Sequence, residues 1–366
     1  VIRSYSPPDD WNYDLIVDAI LGTGIVGKVR EPYLSYINRM NEAESSRLSV
    51  DIESGHGTDT KVNSDVVISL HESKQEGALV LPIGIPDQLT RLCGPGNVKF
   101  LERRPVTAHK GGGGSMAVIG GSEKYHGAPI YSSIAGSTIC DLVYVICPKK
   151  VSGAIRCASP DIIVEETSSD RLDGSILDHP RIHEVDCILC GVGAGRSNAT
   201  LDAFREFYQI CKTPLIIDAD GLHALKGHLD LLKSNMCITP HAREFASLFG
   251  ELPADHAERK DVVGSLALEY DCTILLKGKI DIISSKGHTW ENMTGNEGMT
   301  TGGTGDVLAG CTAAFAAKNP LFESALASSF VVGLAGDMVY ANDDLFYTAS
   351  DVLGMLPDAL SFCNRF

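Results

Sequence analysis

The sequence predicts an α/β protein built from two domains. Short apolar strands alternate with helical stretches up to about residue 100, and the alternation resumes at Met116 and runs to the end. The length of 366 residues exceeds one ordinary hydrophobic core and suits two. Gly111 to Gly114 interrupt the pattern, so we place one domain over residues 1–103 and the other over residues 104–366.

Each predicted strand is a short apolar run. In the first domain the strands are residues 13–20, 48–52, 66–70 and 79–85, and a helix at 32–40 has Pro32 in its first turn. In the second domain the strands are residues 117–119, 141–147, 187–190, 214–217, 236–238, 273–276 and 281–284, and the clearest helices are 200–210, 305–317 and 321–341. We interpret residues 111–115 as a natural loop rather than an inserted linker, because both flanks continue a sensible domain start.

Composition and charge restrict the partners. Hydrophobic residues make up 44% and the net charge is −16, with no cluster of Lys and Arg, so we expect no nucleic-acid partner. No apolar run approaches the roughly 20 residues that span a bilayer, and we expect no membrane partner. Eleven scattered cysteines suit reduced thiols in the cytoplasm, and Cys187 and Cys190 form an isolated CxxC that we assign to the core. The first residue is Val1 rather than Met, which is consistent with a fragment.

The most informative motif is GGTGDVLAG at residues 302–310. Glycines let the backbone approach an anion closely, and the helix predicted to follow directs its positive end at the same point. Asp306 at this helix start would lie near a transferring phosphate and could accept a proton from an attacking hydroxyl. No lysine of the P-loop type follows, so the motif is not a Walker site. The alternative is a plain helix cap, for which Asp and Gly are both common.

The run from Asn296 to Asp306 (NEGMTTGGTGD) resembles the ADP- or ATP-dependent NAD(P)H-hydrate dehydratases, which are ribokinase-like proteins. Supporting segments occur in the family's order between residues 109 and 360: His109-Lys110-Gly111, Val118-Ile119-Gly120-Gly121-Ser122, Gly127-Ala128-Pro129, Gly191 to Gly195, Asp218-Ala219-Asp220, Thr239-Pro240-His241 with Glu244, and Leu276-Lys277-Gly278. The resemblance implies a ribokinase-like three-layer domain preceded by a partial Rossmann-like α/β domain. The family more often has an acidic residue at the position of Gly111.

The resemblance also implies site residues and cofactors. It identifies Asp306 as the catalytic base, which removes a proton from the hydrate's ring hydroxyl while that hydroxyl attacks the terminal phosphate of the nucleotide. It assigns hydrated NADH or NADPH to Ala128, Gly193, Gly195, His241 and Asp306. It assigns ADP or ATP, with Mg²⁺, to Lys277, Gly278, Lys279, Ile280, Asp281, Gly303, Thr304 and Gly305. Asp218 and Asp220 are either caps or residues that shape a magnesium site, and we do not assign them as ligands.

The N-terminal segment Gly22-Thr23-Gly24-Ile25-Val26-Gly27 fits the dinucleotide pattern GxGxxG. In that fingerprint the helix opens at the glycines, whereas here Pro32 marks a later start. We therefore reject a dehydrogenase. The segments 14–24 (DLIVDAILGTG) and 50–55 (VDIESG) instead resemble the C-terminal half of NAD(P)H-hydrate epimerases.

This second resemblance implies that Asp18 and Ser54 help to hold a K⁺ ion. It assigns the hydrate to Gly22, Thr23, Gly24, Ile25, Val26, Gly27, Lys28 and Asp51. Two departures from the family argue against epimerase activity. The family's upstream Asn- and Gly-rich phosphate loop is not in this chain, and Glu53 stands where the family usually has proline. An inert or partner-binding remnant is the favoured interpretation.

Other functions remain open at the level of sequence. The runner-up is a ribokinase-like kinase of a small alcohol such as a vitamin precursor, and a third possibility is a non-catalytic nucleotide-binding module. The family's prokaryotic members use ADP, and the fusion of both halves in one chain is a prokaryotic arrangement, so we expect ADP. The family also tends to assemble, so we expect a homo-oligomer.

Overall fold

The computed structural model describes residues 10–25, 27–86, 89–102 and 111–365. Val26, together with Arg103, Arg104, Pro105, His109 and Lys110 of the predicted linker, lies outside the described residues. The chain divides into two compact units, Val1–Thr90 and Arg91–Phe366, which are described separately. Helix α2 (Pro95–Lys99) contacts two helices of the larger unit. The predicted boundary after residue 103 stays a prediction.

The smaller unit is a four-stranded parallel sheet in the order β1-β2-β3-β4. Its elements are β1 (Leu15–Asp18), α1 (Tyr33–Glu42), β2 (Ser46–Val50), β3 (Val66–Leu70) and β4 (Leu79–Leu81). Helix α1 buries Ile37 and Met40 against Ile16, Val29 and Val62. It begins after Pro32, well beyond the glycines, which confirms the sequence argument against a dinucleotide-binding turn.

The larger unit contains a nine-stranded sheet in the order β13-β12-β11-β10-β9-β8-β5-β6-β7. Its strands are β5 (Ser115–Ile119), β6 (Leu142–Cys147), β7 (Ile163–Glu166), β8 (Cys187–Cys190), β9 (Leu215–Ile217), β10 (Met236–Ile238), β11 (Thr273–Leu276), β12 (Asp281–Ser285) and β13 (His288–Asn292). Neighbouring strands pair parallel, except that β12 pairs antiparallel with both β11 and β13. Strands β7 (IVEE) and β13 (HTWEN) were not predicted, because these edge strands carry few apolar residues.

Helices cover both faces of this sheet, which confirms the predicted three-layer architecture. The helices are α3 (Gly127–Ser137), α4 (Lys149–Arg156), α5 (Asn198–Ile210), α6 (Asp220–Ala224), α7 (Ala242–Phe249), α8 (His256–Glu269), α9 (Thr304–Ala316), α10 (Leu321–Asp343) and α11 (Ala349–Cys363). One core joins the sheet to α2, α3, α4, α9, α10 and α11, and the other joins it to α5, α6, α7 and α8. Alternate residues of β5 supply the two cores: Met116 and Val118 face one, and Ala117 and Ile119 face the other.

The chain order reverses between β5 and β8. From β5 the chain adds β6 and β7 on one side, then returns to β8 and extends through β9 and β10 on the other. Ligands of open α/β sheets bind beyond the carboxyl ends of the strands at such a switch point. The loop after β5 begins at Gly120 and the loop after β8 begins at Gly191, so both glycine-rich segments lie at this point.

Helix α10 is, within the described residues, long and apolar enough to cross a membrane by length and composition alone. However, 72% of the most apolar 18-residue stretch of this helix is buried inside the protein. It packs against α9, α11 and α2, as a core helix of the larger unit does.

The eleven cysteines are free thiols. Cys187 and Cys190 are fully buried in β8, and burial raises the pKa of both thiols. A metal or redox role needs the thiolate, so the structure favours the core assignment. The glycines before β5 form a hydrogen-bonded turn, in which Gly111 and Gly113 donate to Oδ2 of Asp141 over 3.1 and 2.8 Å.

Candidate active site

The first turn of α9 begins at a position that demands glycine. Gly303, the residue before Thr304, has φ +104°, in the left-handed region. A Cβ at this position would lie 2.8 Å from Tyr131 and 2.9 Å from Ala349. The first N–H groups of a helix have no partner within it, and its positive dipole end reinforces them. The sequence thus builds an anion-binding turn at the start of an otherwise buried apolar helix.

Asp306 lies in this first turn, and its side chain is half-buried. Its backbone carbonyl accepts a hydrogen bond from Ser132 Oγ at 2.9 Å, but its carboxylate has no hydrogen-bond partner among the described residues. Burial, reinforced by the neighbouring Asp218 carboxylate and partly opposed by Lys277, raises the pKa of Asp306 to about 7. A carboxylate with this pKa can accept a proton efficiently near neutral pH.

Lys277 directly follows β11 and forms an ion pair with Asp218, which directly follows β9. Its Nζ lies 2.7 Å from Oδ1 of Asp218, and their side chains are 18% and 3% exposed. A Cβ built on Gly305 would lie 3.5 Å from the same Nζ, so the ammonium sits beside the first turn of α9. Burial by itself lowers the pKa of Lys277, but Asp218 and Glu244 outweigh it and raise the pKa.

Two cavities meet the first turn of α9. The Lys277 cavity has a volume of about 510 Å³ and is lined by Lys277, Gly278, Lys279, Ile280, Asp281, Met293, Thr294, Gly295, Asn296, Glu297, Met299, Thr300, Thr304, Gly305, Leu308, Ser329, Val332 and Gly333. The Asp306 cavity has a volume of about 560 Å³ and is lined by Tyr125, Ala128, Gly193, Gly195, Arg196, Ala219, Asp220 and Asp306. Consecutive residues of one helix therefore line different cavities, Gly305 the first and Asp306 the second.

The cavities separate the two predicted sets of ligand-binding residues. Seven of the eight predicted nucleotide-binding residues line the Lys277 cavity; the eighth, Gly303, caps α9 instead. Of the predicted substrate-binding residues, Ala128, Gly193, Gly195 and Asp306 line the Asp306 cavity. Their roles in binding stay predictions.

His241 is the predicted substrate residue that lines neither cavity. It caps α7, where its Nδ1 accepts hydrogen bonds from the N–H groups of Arg243 and Glu244, both at 3.1 Å. An accepting Nδ1 leaves the proton of a neutral ring on Nε2, which lies 3.5 Å from Oε1 of Glu244. The ring is half exposed, and its backbone pairs with Lys277 in a short bridge.

Asp281 holds the shape of the Lys277 cavity. Its Oδ1 accepts from the N–H of Gly278 at 3.0 Å, and its Oδ2 accepts from Asn292 Nδ2 at 3.1 Å and Ser329 Oγ at 2.5 Å. Burial raises the pKa of Asp281 although these three donors oppose the rise. The carboxylate is thus engaged by three donors of the protein itself.

Tyr125 and Arg196 line the Asp306 cavity, although neither falls in any of the motifs singled out from the sequence. Gly193 has φ +61°, and a Cβ there would lie 2.3 Å from the carbonyl oxygen of Tyr125, so the glycine loop packs directly on this segment. Arg196 follows Gly195 directly, and its Nε donates to Oδ1 of Asp220 at 2.6 Å. Position next to the glycine motifs was the available signal for both residues.

In the smaller unit, the two predicted K⁺ ligands are brought together. Ser54 donates to Asp18 through its Oγ at 2.5 Å and its N–H at 2.8 Å, and Ser49 Oγ donates to the same carboxylate at 2.7 Å. Asp18 and Ser54 are buried at the carboxyl edge of the sheet. Their mutual hydrogen bonds leave no open oxygen pair for a cation.

The predicted epimerase substrate residues that the structure describes line neither the Lys277 cavity nor the Asp306 cavity. Residues 22–25, 27 and 28 belong to the loop between β1 and α1, and Val26 lies outside the described residues. Asp51 is ion-paired with Lys74 and also accepts from the N–H of Leu70 at 3.1 Å, contacts that lower the pKa of its carboxyl. A cavity of about 400 Å³ in this unit is lined by Glu53 and its partner Lys61 among other residues, and by none of the predicted substrate residues.

Comparison with known proteins identifies both parts of the chain. Residues 116–358 match the family model described as NAD(P)H-hydrate dehydratase. Residues 1–75 match the model described as YjeF-related protein N-terminus. The two matches divide the chain between the larger and the smaller unit.

Two solved structures share the fold of the larger unit. A ribokinase-like superfamily protein of Enterococcus faecalis is 25% identical, with a TM-score of 0.66 over 75% of this chain and 97% of that protein. The ADP/ATP-dependent NAD(P)H-hydrate dehydratase of Bacillus subtilis, co-crystallised with ATP/Mg²⁺, is 19% identical, with a TM-score of 0.63 over 75% of this chain and 98% of that protein. These similarities confirm the predicted ribokinase-like fold.

Curated relatives extend the match to nearly the whole chain. The bifunctional NAD(P)H-hydrate repair enzyme Nnr of Archaeoglobus fulgidus is 34% identical over 98% of this chain and 78% of its own length. The ADP-dependent (S)-NAD(P)H-hydrate dehydratase of Cenarchaeum symbiosum is 38% identical over 75% of this chain and 98% of its own length. The chain therefore belongs to the NAD(P)H-hydrate dehydratase family, and it shares its two-part organisation with the bifunctional NAD(P)H-hydrate repair enzymes.

Proposed function

We propose that the larger unit dehydrates hydrated NADH or NADPH back to the reduced coenzyme in an ADP-dependent reaction, with Asp306 as the general base. The observation that carries this proposal is the first turn of α9, where Gly305 lines the Lys277 cavity and Asp306 lines the Asp306 cavity. A nucleotide phosphate in one cavity and a substrate hydroxyl in the other would meet at this turn. Family membership and the printed activities of the relatives support the same substrates.

The proposed first step is a phosphoryl transfer. Asp306 accepts the proton of the ring hydroxyl, the hydroxyl oxygen forms a bond to the terminal phosphorus of ADP, and the bond to AMP breaks. The N–H groups of Thr304 to Asp306 and the ammonium of Lys277 stabilise the charge that develops on the phosphoryl oxygens. The pKa of about 7 for Asp306 supports its role as a base near neutral pH.

The proposed second step is an elimination. The phosphate leaves the ring carbon with the bonding electron pair, and the neighbouring ring carbon gives up a proton to the departing phosphate or to water, which restores the dihydronicotinamide. Phosphate is a far better leaving group than hydroxide, so the nucleotide is consumed to activate the hydroxyl.

Magnesium is proposed to enter with the nucleotide phosphates rather than in a protein cage. Over the part of the chain that the structure describes, no group of three or more His, Cys, Asp and Glu side chains could hold an ion. Two nearby carboxylates are engaged by the protein, Asp218 with Lys277 and Asp220 with Arg196 and Gly195. This donor set fits Mg²⁺ that keeps mostly phosphate and water ligands, and the bound ion would neutralise phosphate charge.

For the smaller unit we infer that it does not epimerise the hydrate by itself. Asp51 is paired with Lys74, and the oxygens of Asp18 are occupied by Ser49 and Ser54, so the donor set does not fit K⁺ as it stands. The measurement is the rate of interconversion of the R and S hydrates in KCl and in NaCl. A K⁺-dependent rate above the uncatalysed one would overturn this inference.

The dehydration is tested with purified protein, hydrated NADH and either ADP or ATP. We expect the dihydronicotinamide absorbance to return, with AMP and phosphate released in equal amounts and with ADP preferred. A stable phosphorylated product would favour the kinase alternative, and no turnover with any nucleotide would favour a binding module. We further propose that the protein is cytoplasmic, in keeping with its mostly buried free thiols. We also propose a homo-oligomer, because the family resemblance implies one, and light scattering measures its mass.

A further inference from the structure

Arg196 is the cation of the Asp306 cavity. Among the described residues that line this cavity, the other charged side chains are the acidic Asp220 and Asp306. A dinucleotide substrate carries a negatively charged pyrophosphate, and NADPH carries a 2′-phosphate as well. A cavity that receives such a molecule beside two carboxylates needs a cation to offset their repulsion.

The guanidinium of Arg196 is held in place but keeps donors free. Its Nε donates to Oδ1 of Asp220 at 2.6 Å, while Oδ2 of Asp220 accepts from the N–H of Gly195 at 2.9 Å. The side chain is 58% exposed, and its two terminal Nη groups make no hydrogen bond to any described residue. A planar guanidinium with both Nη groups available binds phosphate through two parallel hydrogen bonds.

A second donor without a partner lies beside Gly195, although Ser122 is not one of the residues that line the Asp306 cavity. Ser122 Oγ is buried and has no hydrogen-bond partner among the described residues, an unusual state for a buried hydroxyl. It lies 3.9 Å from the position of a Cβ built on Gly195, the residue before Arg196. Helix α5 begins at Asn198, two residues after Arg196, so its positive end lies close by in sequence.

The residue before Asp220 has a strained backbone. Ala219 has φ +50° and ψ −120°, a region that residues with a Cβ rarely adopt. The turn is closed by the N–H of Gly221, which donates to the carbonyl oxygen of Asp218 at 3.0 Å. Strain of this kind persists where the surrounding structure over-determines the geometry, and it lies next to the pair of Asp220 with Arg196.

We propose that Arg196, oriented by Asp220, and Ser122 form a phosphate-binding subsite for the dinucleotide substrate. The inference rests on the proposed function, because it assigns the subsite to the hydrated coenzyme. The phosphate is either the pyrophosphate, common to both coenzymes, or the 2′-phosphate of the NADPH form. The same subsite binds the products NADH and NADPH, which allows binding to be measured without catalysis.

The test measures dissociation constants of NADH and NADPH by fluorescence for the wild-type protein and for Arg196→Gln, Arg196→Lys and Ser122→Ala. Loss of charge-assisted hydrogen bonds predicts affinity about 10- to 100-fold weaker for Arg196→Gln, with a smaller loss for Arg196→Lys. The matched control is Arg156→Gln, because Arg156 is 48% exposed, pairs with Glu166 and lines none of the cavities described above.

The pattern of losses identifies the phosphate. Equal losses for NADH and NADPH assign Arg196 to the pyrophosphate, and a loss confined to NADPH assigns it to the 2′-phosphate. Unchanged affinity for both coenzymes in Arg196→Gln, while the wild-type protein binds them and turns over the hydrate, would overturn the subsite and leave the proposed function standing. A wild-type protein without ADP-dependent turnover would refute the proposed function itself. A structural role alone predicts lost thermal stability with unchanged affinity per folded molecule, which a melting curve detects.

Discussion

Nζ of Lys277 lies 2.7 Å from Oδ1 of Asp218, in an ion pair that joins the ends of β11 and β9 beside the first turn of α9. The Asp218 side chain is 3% exposed, so removing its partner leaves a nearly buried charge. We expect Lys277→Gln to cost about 3–5 kcal/mol in the free energy of unfolding, measured in urea. The same variant should raise the KM for ADP, because the ammonium also lines the Lys277 cavity.

A double variant separates these two effects. Lys277→Gln with Asp218→Asn removes both charges, and we expect it to recover most of the lost stability but not the affinity for ADP. Recovery of both would show that Lys277 serves the fold and not the nucleotide.

Asp306→Asn should lower kcat by about 10²- to 10⁴-fold, because the amide cannot accept the hydroxyl proton. Binding of ADP should be retained, since Asp306 does not line the Lys277 cavity. Steady-state rates and equilibrium titration of ADP measure the two quantities. Glu258→Gln is the control, because Glu258 is also acidic and in the first turn of a helix, but lines neither cavity. Equal rates for Asp306→Asn and the wild type would show that another group is the base.

The pH dependence of kcat/KM should report the raised pKa of Asp306. The base must be ionised, so kcat/KM should rise with pH up to about 7 and fall about tenfold for each unit below it. The positive charge of Lys277 lowers the pKa of Asp306. In Lys277→Gln the fall of kcat/KM on the acid side should therefore begin at a higher pH. A limb near the ordinary carboxyl value of 3.8 would contradict the effect of burial.

The same pKa predicts a stability cost at the active site. The folded state binds the Asp306 proton more tightly than the unfolded chain, so the stability that this group contributes is present in acid and is lost as pH rises from 3.8 to about 7. Asp306→Asn carries no charge to bury and should melt at a higher temperature than the wild type at pH 8. The difference should shrink toward pH 4, and calorimetry at both pH values checks it. A gain that is independent of pH would have another cause.

Gly303→Ala should damage the anion-binding turn. Its φ of +104° disfavours any Cβ, and the added atom would lie 2.8 Å from Tyr131 and 2.9 Å from Ala349. We expect the variant to lose at least about 1 kcal/mol of stability and most of its activity. Gly302→Ala is the matched control, because a Cβ there meets nothing within 4 Å and its φ is not in the left-handed region. Equal effects at both positions would argue against a specific requirement at Gly303.

Most of the fold was predictable from the sequence because its signals are local. Strands such as Cys187–Cys190 and Met236–Ile238 are continuous apolar runs, and the start of α9 is marked by glycines before an apolar helix. The edge strands β7 and β13 were missed because residues at a sheet edge need not be apolar.

The sequence by itself determined the motifs: GGTGD at a helix start, GVGAG after a strand and LKGKID between two strands. Only the tertiary structure decided that the first turn of α9 lies between two cavities, because residues 128, 193, 220 and 306 converge through the order of the strands and not through their spacing. The sequence also could not predict the raised pKa of Asp306 or the pairing of Arg196 with Asp220, for the same reason. Burial and charge depend on neighbours that are remote in the chain, and only folding brings them within range.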